Sequence, residues 1–488
     1  MTTDLLVHVG GPLGGLGLAV LAVGPARAAR LGGLAAWTLG LLLLVPSLVP
    51  SGQGAVVAAG IVAAVAVAVP LAVLVRRRPW SLALLVLAAV PVRIPIKVGD
   101  ESATLLVPLY ALVVGTALAL AWSLWRDEPR SRELGRVALP LGVFVAWLGL
   151  SAAWTGDPTK GAVELFFFIL PFALLTVALA RLPWSDVGVD RLGLLLLGMG
   201  VLFALVGIGQ WAARDIFWNN KVVAGNAYAS IFRVNSLFWD PSIYGRFLVV
   251  TILACVAVLL FARFRRLDWP LVAAVAVLWV GLFFSYSQSS FVALLAGLAV
   301  AAVLAWGRSA VVVVATLVVA VGVYGLVSPQ LEKVRRDLTA SSEKRVNRAT
   351  RGRFVLVRNA LEITGEHPAV GVGVGGLERA YRRHGDLPES VKVPASHNTP
   401  VTVLAETGVP GLAFFVWLVA AGLLAAGRAT LRAAGRVQLL AAVAILGLVA
   451  IAVHSLFYNA FLEDPMAWAL LAFAALAAGA TSARKVSG

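Results

Sequence analysis

Apolar runs of about 18 residues or more recur along this chain of 488 residues, each long enough to cross ~30 Å of hydrocarbon as a helix. Lipid offers a backbone no hydrogen-bond partners, so a spanning chain must be a helix bundle or a closed barrel. A barrel would show alternating segments of about 10 residues. Composition agrees with helices: 60% of residues are hydrophobic and 13% charged, and the mean hydropathy is +0.92. The expected fold class is therefore all-α, a polytopic membrane helical bundle of about 14 transmembrane helices, within a range of 12–15. The expected spans are 32–50, 54–75, 80–95, 104–125, 137–154, 161–180, 192–212, 240–262, 270–286, 289–306, 309–327, 410–426, 437–458 and 463–480. The first ~25 residues read as an interfacial helix or one further span.

The net charge of +16 is explained by topology and anionic headgroups before nucleic acid. Basic clusters at Arg27 and Arg30, Arg76–Arg78, Arg126–Arg136, Arg181 and Arg191, Arg263–Arg266, Arg308 and Arg428–Arg436 punctuate the runs. The intervening loops, such as "TGDPTKG" and "YSQSS", are poorer in Lys and Arg. The clusters are expected on the cytoplasmic side and those loops outside. The one cysteine, Cys255, permits no intrachain disulfide, and no Cys/His cluster points to zinc. No removable signal peptide is read at the N-terminus. The organisation expected is N-terminal transmembrane helices over 1–199, a transmembrane core with an outer loop at 213–240 over 200–327, a large extracytoplasmic loop over 328–409, and C-terminal transmembrane helices over 410–488.

Polar side chains beside lipid-type helix are costly, so they mark candidate sites. In "SHNTPVTVLAETGVPGL", Thr399-Pro400 reads as an N-cap and first-turn pair, Gly408 as a helix end and Pro410 as the next start. His397 and Asn398 then sit ahead of a helix N-terminus, whose partial positive charge disfavours imidazolium. A neutral imidazole there can serve as a general base; a structural tie is the equal alternative. Glu406 either orients His397, pairs with an arginine, or is a rim charge. Arg233, in "IFRVNSLFWDPS", is suited to phosphate, or is an interfacial snorkeller. Arg246 lies about a turn inside the following span, as an intramembrane functional charge or a snorkeller. Arg351, Arg353 and Arg358 fall near the start of an amphipathic loop helix ending before Pro368. Gln288 lies at an outer helix junction, and His454 reads chiefly as an interhelical hydrogen-bonding residue. "GVGVGG" matches G-x-G-x-x-G by letter at Gly371, Gly373 and Gly376, but it follows a helix rather than a strand, so it reads as a tight turn and not a dinucleotide loop.

Four pieces, in order, carry a resemblance: "FRVNSLFWDPSIYGRFL", "SYSQSSFVALLAG", "RGRFVLVRNALEITGEHPAVGVGVGG" and "SHNTPVTVLAETGVPG". Over about residues 200–470 the chain resembles the O-antigen ligase and O-antigen polymerase family of membrane glycosyltransferases. The resemblance implies transfer of a glycan from an undecaprenyl-diphosphate carrier to a hydroxyl of an acceptor glycan or glycolipid. It implies no nucleotide sugar, no metal and no other cofactor. It places the active site on the extracytoplasmic face of the cytoplasmic (inner) membrane. His397 resembles the loop histidine that activates the acceptor, Arg233 an arginine that grips the diphosphate, and Arg353 the arginine of the Gly-Arg piece. Glu406 is taken as a second catalytic candidate; Arg246, Arg351, Arg358, Gln288, Asn398 and Tyr244 complete the substrate-binding set. Many members carry an arginine where this chain has Gln288, an asparagine where it has Ser242, and an aromatic where it has Val357. Two other readings compete: a transporter or flippase of lipid-linked glycans, and an envelope-assembly scaffold. No inverted repeat or pair of broken helices favours the transporter.

Overall fold

A computed structural model describes residues 3–49, 54–98, 101–127, 133–181, 186–228, 231–262, 268–327, 353–388, 396–459 and 461–486, with residues 332 and 336 besides. Among them, eleven helices are long and apolar enough to cross a membrane. The one extended element among the described residues is a short antiparallel hairpin, β1 (Ile94–Val98) and β2 (Glu101–Leu105).

The first helix, α1 (Thr3–Val23), is a buried member of the bundle rather than an interfacial one, half enclosed by protein. Glycines let it lie against α2 (Arg27–Leu48) and α6 (Ala138–Ser151). A Cβ on Gly17 would meet the Gly33 carbonyl at 2.7 Å, and one on Gly15 the Gly149 Cα at 2.9 Å. Small residues at helix contacts are the usual means of close packing where no hydrophobic drive separates helix from lipid. At the end of α1, Arg181 donates to the Leu21 and Ala22 carbonyls at 2.7 and 2.9 Å, and Arg30 donates to Gly24 O and pairs with Glu133. Two arginines read from sequence as topology markers thus also cap a helix C-terminus.

Helix α3 (Gly54–Arg77) precedes a departure from expectation. The apolar run at 80–95 is helical only over α4 (Ser81–Ala89), 9 residues, or about 14 Å at the α-helical rise, too short to span. The chain turns through Pro91 into the hairpin, and α5 (Val107–Trp125) follows. The pair α7 (Pro158–Glu164) and α8 (Leu170–Arg181) is continuous through one π-helical stretch, Leu165–Ile169, and is largely buried. Then come α9 (Asp186–Ala213), the short α10 (Asn220–Tyr228), α11 (Pro241–Phe261), α12 (Asp268–Ser285), α13 (Gln288–Trp306) and α14 (Arg308–Val327).

The segment leading out of the expected outer loop holds two helices, α15 (Arg353–Glu366) and α16 (Leu377–His384). The last helices are α17 (Thr399–Arg432) and α18 (Gly435–His454), both among the eleven, and α19 (Pro465–Val486), whose apolar part, Pro465–Ala480, is shorter. α17 breaks at Gly408, with φ 70° and ψ −175°. The expected helix end at Gly408 and restart at Pro410 are therefore observed, as a kink within one long element. The cap sits one residue earlier than expected: Asn398 is the N-cap, with Pro400 in the first turn.

Candidate active site

Two segments far apart in sequence meet around the start of α17. The first is the stretch before α11. Gln210, on α9, brackets Ser236: its Nε2 donates to Ser236 O at 3.0 Å and its Oε1 accepts from Ser236 N at 2.7 Å. Asn226 holds Arg233 in the same reciprocal way, at 2.8 and 3.0 Å. The Val234 N–H donates to Phe284 O, and Arg233 Nε donates to Ser285 O at 3.1 Å. Asp240 then N-caps α11, accepting from Ser242 N at 2.6 Å. Arg233 is thus a half-buried cation on a pinned loop, its stem fixed against the end of α12.

The second segment is 396–402. Asn398 Oδ1 accepts from Val401 N and its Nδ2 donates to Leu456 O, both at 3.0 Å. Ser396 Oγ donates to Asn398 O at 2.9 Å and shares a 2.6 Å hydrogen bond with Thr402 Oγ1. The Thr399 N–H donates to Ser455 O at 2.9 Å. Between these ties His397 takes a left-handed conformation, φ 56°. Such a conformation costs roughly 1–2 kcal/mol for a residue with a Cβ, and persists where surrounding bonds over-determine it.

Burial and the Arg353 guanidinium hold the His397 imidazole below its ordinary pKa, with the Asp240 carboxylate opposing them. His397, Arg353 and Asp240 are therefore electrostatic neighbours drawn from three elements. The balance favours the neutral ring, the form that can accept a proton.

A hydroxyl ladder runs from the junction of α12 and α13, where Arg233 is bonded to Ser285 O, to the end of α18. Ser290 Oγ donates to Ser287 Oγ at 2.8 Å, Ser287 and Ser289 Oγ lie 3.2 Å apart, and Ser289 Oγ lies 3.1 Å from His454 Nε2. His454 therefore bonds across helices, as its sequence context implied. The next residues, Ser455 and Leu456, are those that hold Thr399 and Asn398.

Other expected residues fall elsewhere. Glu406 is buried and accepts from the backbone N–H groups of Gly375 and Leu377, at the start of α16, so it ties α16 to α17. The glycine turn that brings those donors has Gly371, Gly373 and Gly375 all at positive φ, and a Cβ on Gly371 would stand 2.3 Å from the Glu406 backbone. Arg246 forms an ion pair with Asp464 at 2.8 Å, both side chains 2% exposed. A guanidinium so enclosed is engaged in the bundle rather than presented to a ligand; its Nη1 has no hydrogen-bond partner. The Tyr244 hydroxyl lies in a slot between α9 and α12, where a Cβ on Gly207 or Gly281 would meet it at 2.4 or 2.7 Å. Arg358 is exposed and bonded to Glu362 at 2.8 Å on its own helix. Gln288 is exposed in the first turn of α13. Arg351 lies outside the described residues.

Sequence reading missed Gln210, Asp240, Asp464 and the ladder serines. Only Asp240 carried a signal, an Asp-Pro pair ahead of an apolar run. "TGDPTKG", read as a plain loop, starts α7: Asp157 accepts from Lys160 N at 3.1 Å, and Lys160 Nζ lies 3.5 Å from Glu378.

No curated protein matches the chain. Residues 272–416, from the start of α12 to beyond the α17 kink, match the family model described as O-antigen ligase. That stretch contains Gln288, Arg353, the glycine turn, His397 and Glu406, so the part of the chain that holds these residues is similar to the O-antigen ligase domain, a similarity that implies a glycosyl-transfer enzyme.

Proposed function

We propose that this protein transfers a glycan from a polyprenyl diphosphate, of the undecaprenyl class, to a hydroxyl of an acceptor glycan or glycolipid, at the outer face of the cytoplasmic membrane. The observation that carries this reading is His397, held on a left-handed turn inside the matched domain, with the neutral ring favoured and Arg353 beside it. The donor is already activated, because a diphosphate is a good leaving group. The protein must supply a base for the acceptor and positive charge for the departing oxygens. His397 takes the proton of the acceptor hydroxyl as that oxygen bonds to the anomeric carbon. The bond from this carbon to the phosphate oxygen breaks, and its electron pair leaves with the polyprenyl diphosphate. Arg233 and Arg353 stabilise the charge that develops there. The outward direction rests on the asymmetry of Lys and Arg among the short loops.

The test is transfer from an undecaprenyl-diphosphate oligosaccharide, with and without a separate acceptor, by the purified protein in liposomes. His397→Ala is expected to abolish transfer while its gel-filtration profile stays that of the wild type. Near-normal turnover by that variant would remove His397 as base. Flipping of the lipid-linked glycan without transfer by the wild type would favour the transporter reading. Laddered products indicate a polymerase, and one addition to the separate acceptor a ligase.

A further inference from the structure

Walled mostly by residues of the matched stretch is a cavity of about 550 Å³, to which neither His397 nor Arg233 contributes. Its walls come from α15, the glycine turn, α16 and the junction between α6 and α7. Its size falls in the range of small-ligand sites. Ile363 and Ala380 supply apolar surface, and Trp154 stands at the wall. The indole is fixed in place: its N–H donates to Val370 O at 3.1 Å, and its ring packs edge-on against Trp147 at 6.0 Å. Arg379, Arg383 and His384 bring donors to the same space. Arg379 is braced on the Gly156 carbonyl at 2.5 Å, and His384 on Glu362 at 3.1 Å. Arg383 is exposed.

A flat, immobilised indole beside a set of braced donors fits one ligand chemistry well. A sugar ring offers a face of C–H groups to an aromatic plane and an equator of hydroxyls to hydrogen-bonding side chains. A lipid tail would leave the donors unused. The position also fits. The turn that walls the cavity is bonded to α17 through Val372 N and Ala405 O at 3.0 Å. Ala405 lies six residues after Thr399, about 9 Å along the helix. A short oligosaccharide reaches that far.

We propose that this cavity is a saccharide-binding subsite, which holds a sugar of the glycan substrate some distance from the point of transfer. The assignment rests on the glycosyl-transfer reading for its purpose, though not for its binding chemistry. Binding energy gathered there from a non-reacting part of the substrate would hold substrate and transition state alike, and so lower KM.

The experiment titrates detergent-purified full-length protein calorimetrically with the polysaccharide released by mild acid from the lipid-linked pool of the producing cells. Wild type and His397→Ala should bind alike. Trp154→Ala and Arg383→Ala should bind at least about tenfold and about threefold more weakly, and in the transfer assay should raise KM with kcat retained, the signature of lost uniform binding. Arg383 is exposed, so its replacement leaves the fold intact and guards against an unfolded Trp154 variant. Binding by both variants at the wild-type affinity would overturn the proposal, as would absence of binding by the wild type. Weakened binding in these variants, with transfer untouched in His397→Ala, would refute the catalytic reading and leave the subsite standing.

Discussion

Asn398 is the residue on which the geometry of His397 most directly depends. It caps α17 through Val401 N and anchors the turn to α18 through Leu456 O, each at 3.0 Å. Loss of an N-cap costs about 1 kcal/mol, and loss of a neutral hydrogen bond to a carbonyl roughly another 1 kcal/mol. Asn398→Ala should therefore lower the free energy of local opening by about 2 kcal/mol, or roughly 30-fold in the opening equilibrium. Asn398→Ser keeps a capping oxygen and loses the tie to Leu456, so it should cost about 1 kcal/mol, or roughly fivefold. Amide hydrogen exchange at Val401, Thr402 and Val403 in nanodiscs reads these factors directly. Because His397 sits at φ 56° only while its neighbours are fixed, kcat should fall in the same order, with KM little changed. Unchanged exchange in Asn398→Ala would refute the reasoning. So would an Asn398→Ser variant as loose as the alanine, since the cap would then contribute nothing.

The remaining predictions concern charge. Burial and Arg353 depress the pKa of His397 while Asp240 raises it, so the acid limb of kcat/KM should lie below the ordinary histidine range, the base being lost only as pH falls through the lowered pKa. Arg353→Ala should move that limb to higher pH. Asp240→Asn, which keeps the α11 cap oxygen, should move it lower; a pH–rate profile in which both variants shift the same way would exclude this electrostatic account. For the buried pair, Arg246→Met or Asp464→Leu alone leaves an uncompensated charge and should cost about 3–5 kcal/mol, whereas the double variant should recover most of that, as read by thermal unfolding in detergent. A double variant no better than the worse single would show that the two side chains serve more than each other, as Asp464 Oδ1 does in accepting from Met466 N at 2.9 Å.

Hydropathy made most spans legible, because a helix in lipid must announce itself through length and apolarity whatever its neighbours. It failed at 80–95, where apolar residues continue but Pro91 and Pro95 cannot continue a helix ladder, and the chain turns into a hairpin instead. It left α1 undecided, because an interfacial helix and a glycine-packed one can share a composition. Only Gly33, Gly40 and Gly149, on other helices, decide the matter.

The site was legible where local rules act and opaque where distant segments meet. The cap, the glycine turn and the Gly408 break are properties of a few consecutive residues, and each appears within one residue of its expected place. The tie from Glu406 to α16 was not legible because its partners lie about 30 residues upstream as backbone N–H groups, which leave no trace in side-chain identity. Arg246 looked like a ligand-binding charge because Asp464, over 200 residues away, could not be paired with it by spacing. Gln288 is instructive in the opposite sense. It is exposed in the first turn of α13, so glutamine or arginine fits there without a burial cost, and the exchange removes a charge without disturbing the packing. Next to it, the ladder Ser287–Ser289–His454 brings hydroxyl groups and an imidazole but no guanidinium, and Ser289 is already bonded on both sides. In the reaction proposed above, positive charge for the departing diphosphate would then come from outside this helix start, from Arg353, an electrostatic neighbour of His397, and from Arg233, bonded to Ser285 O ahead of α13.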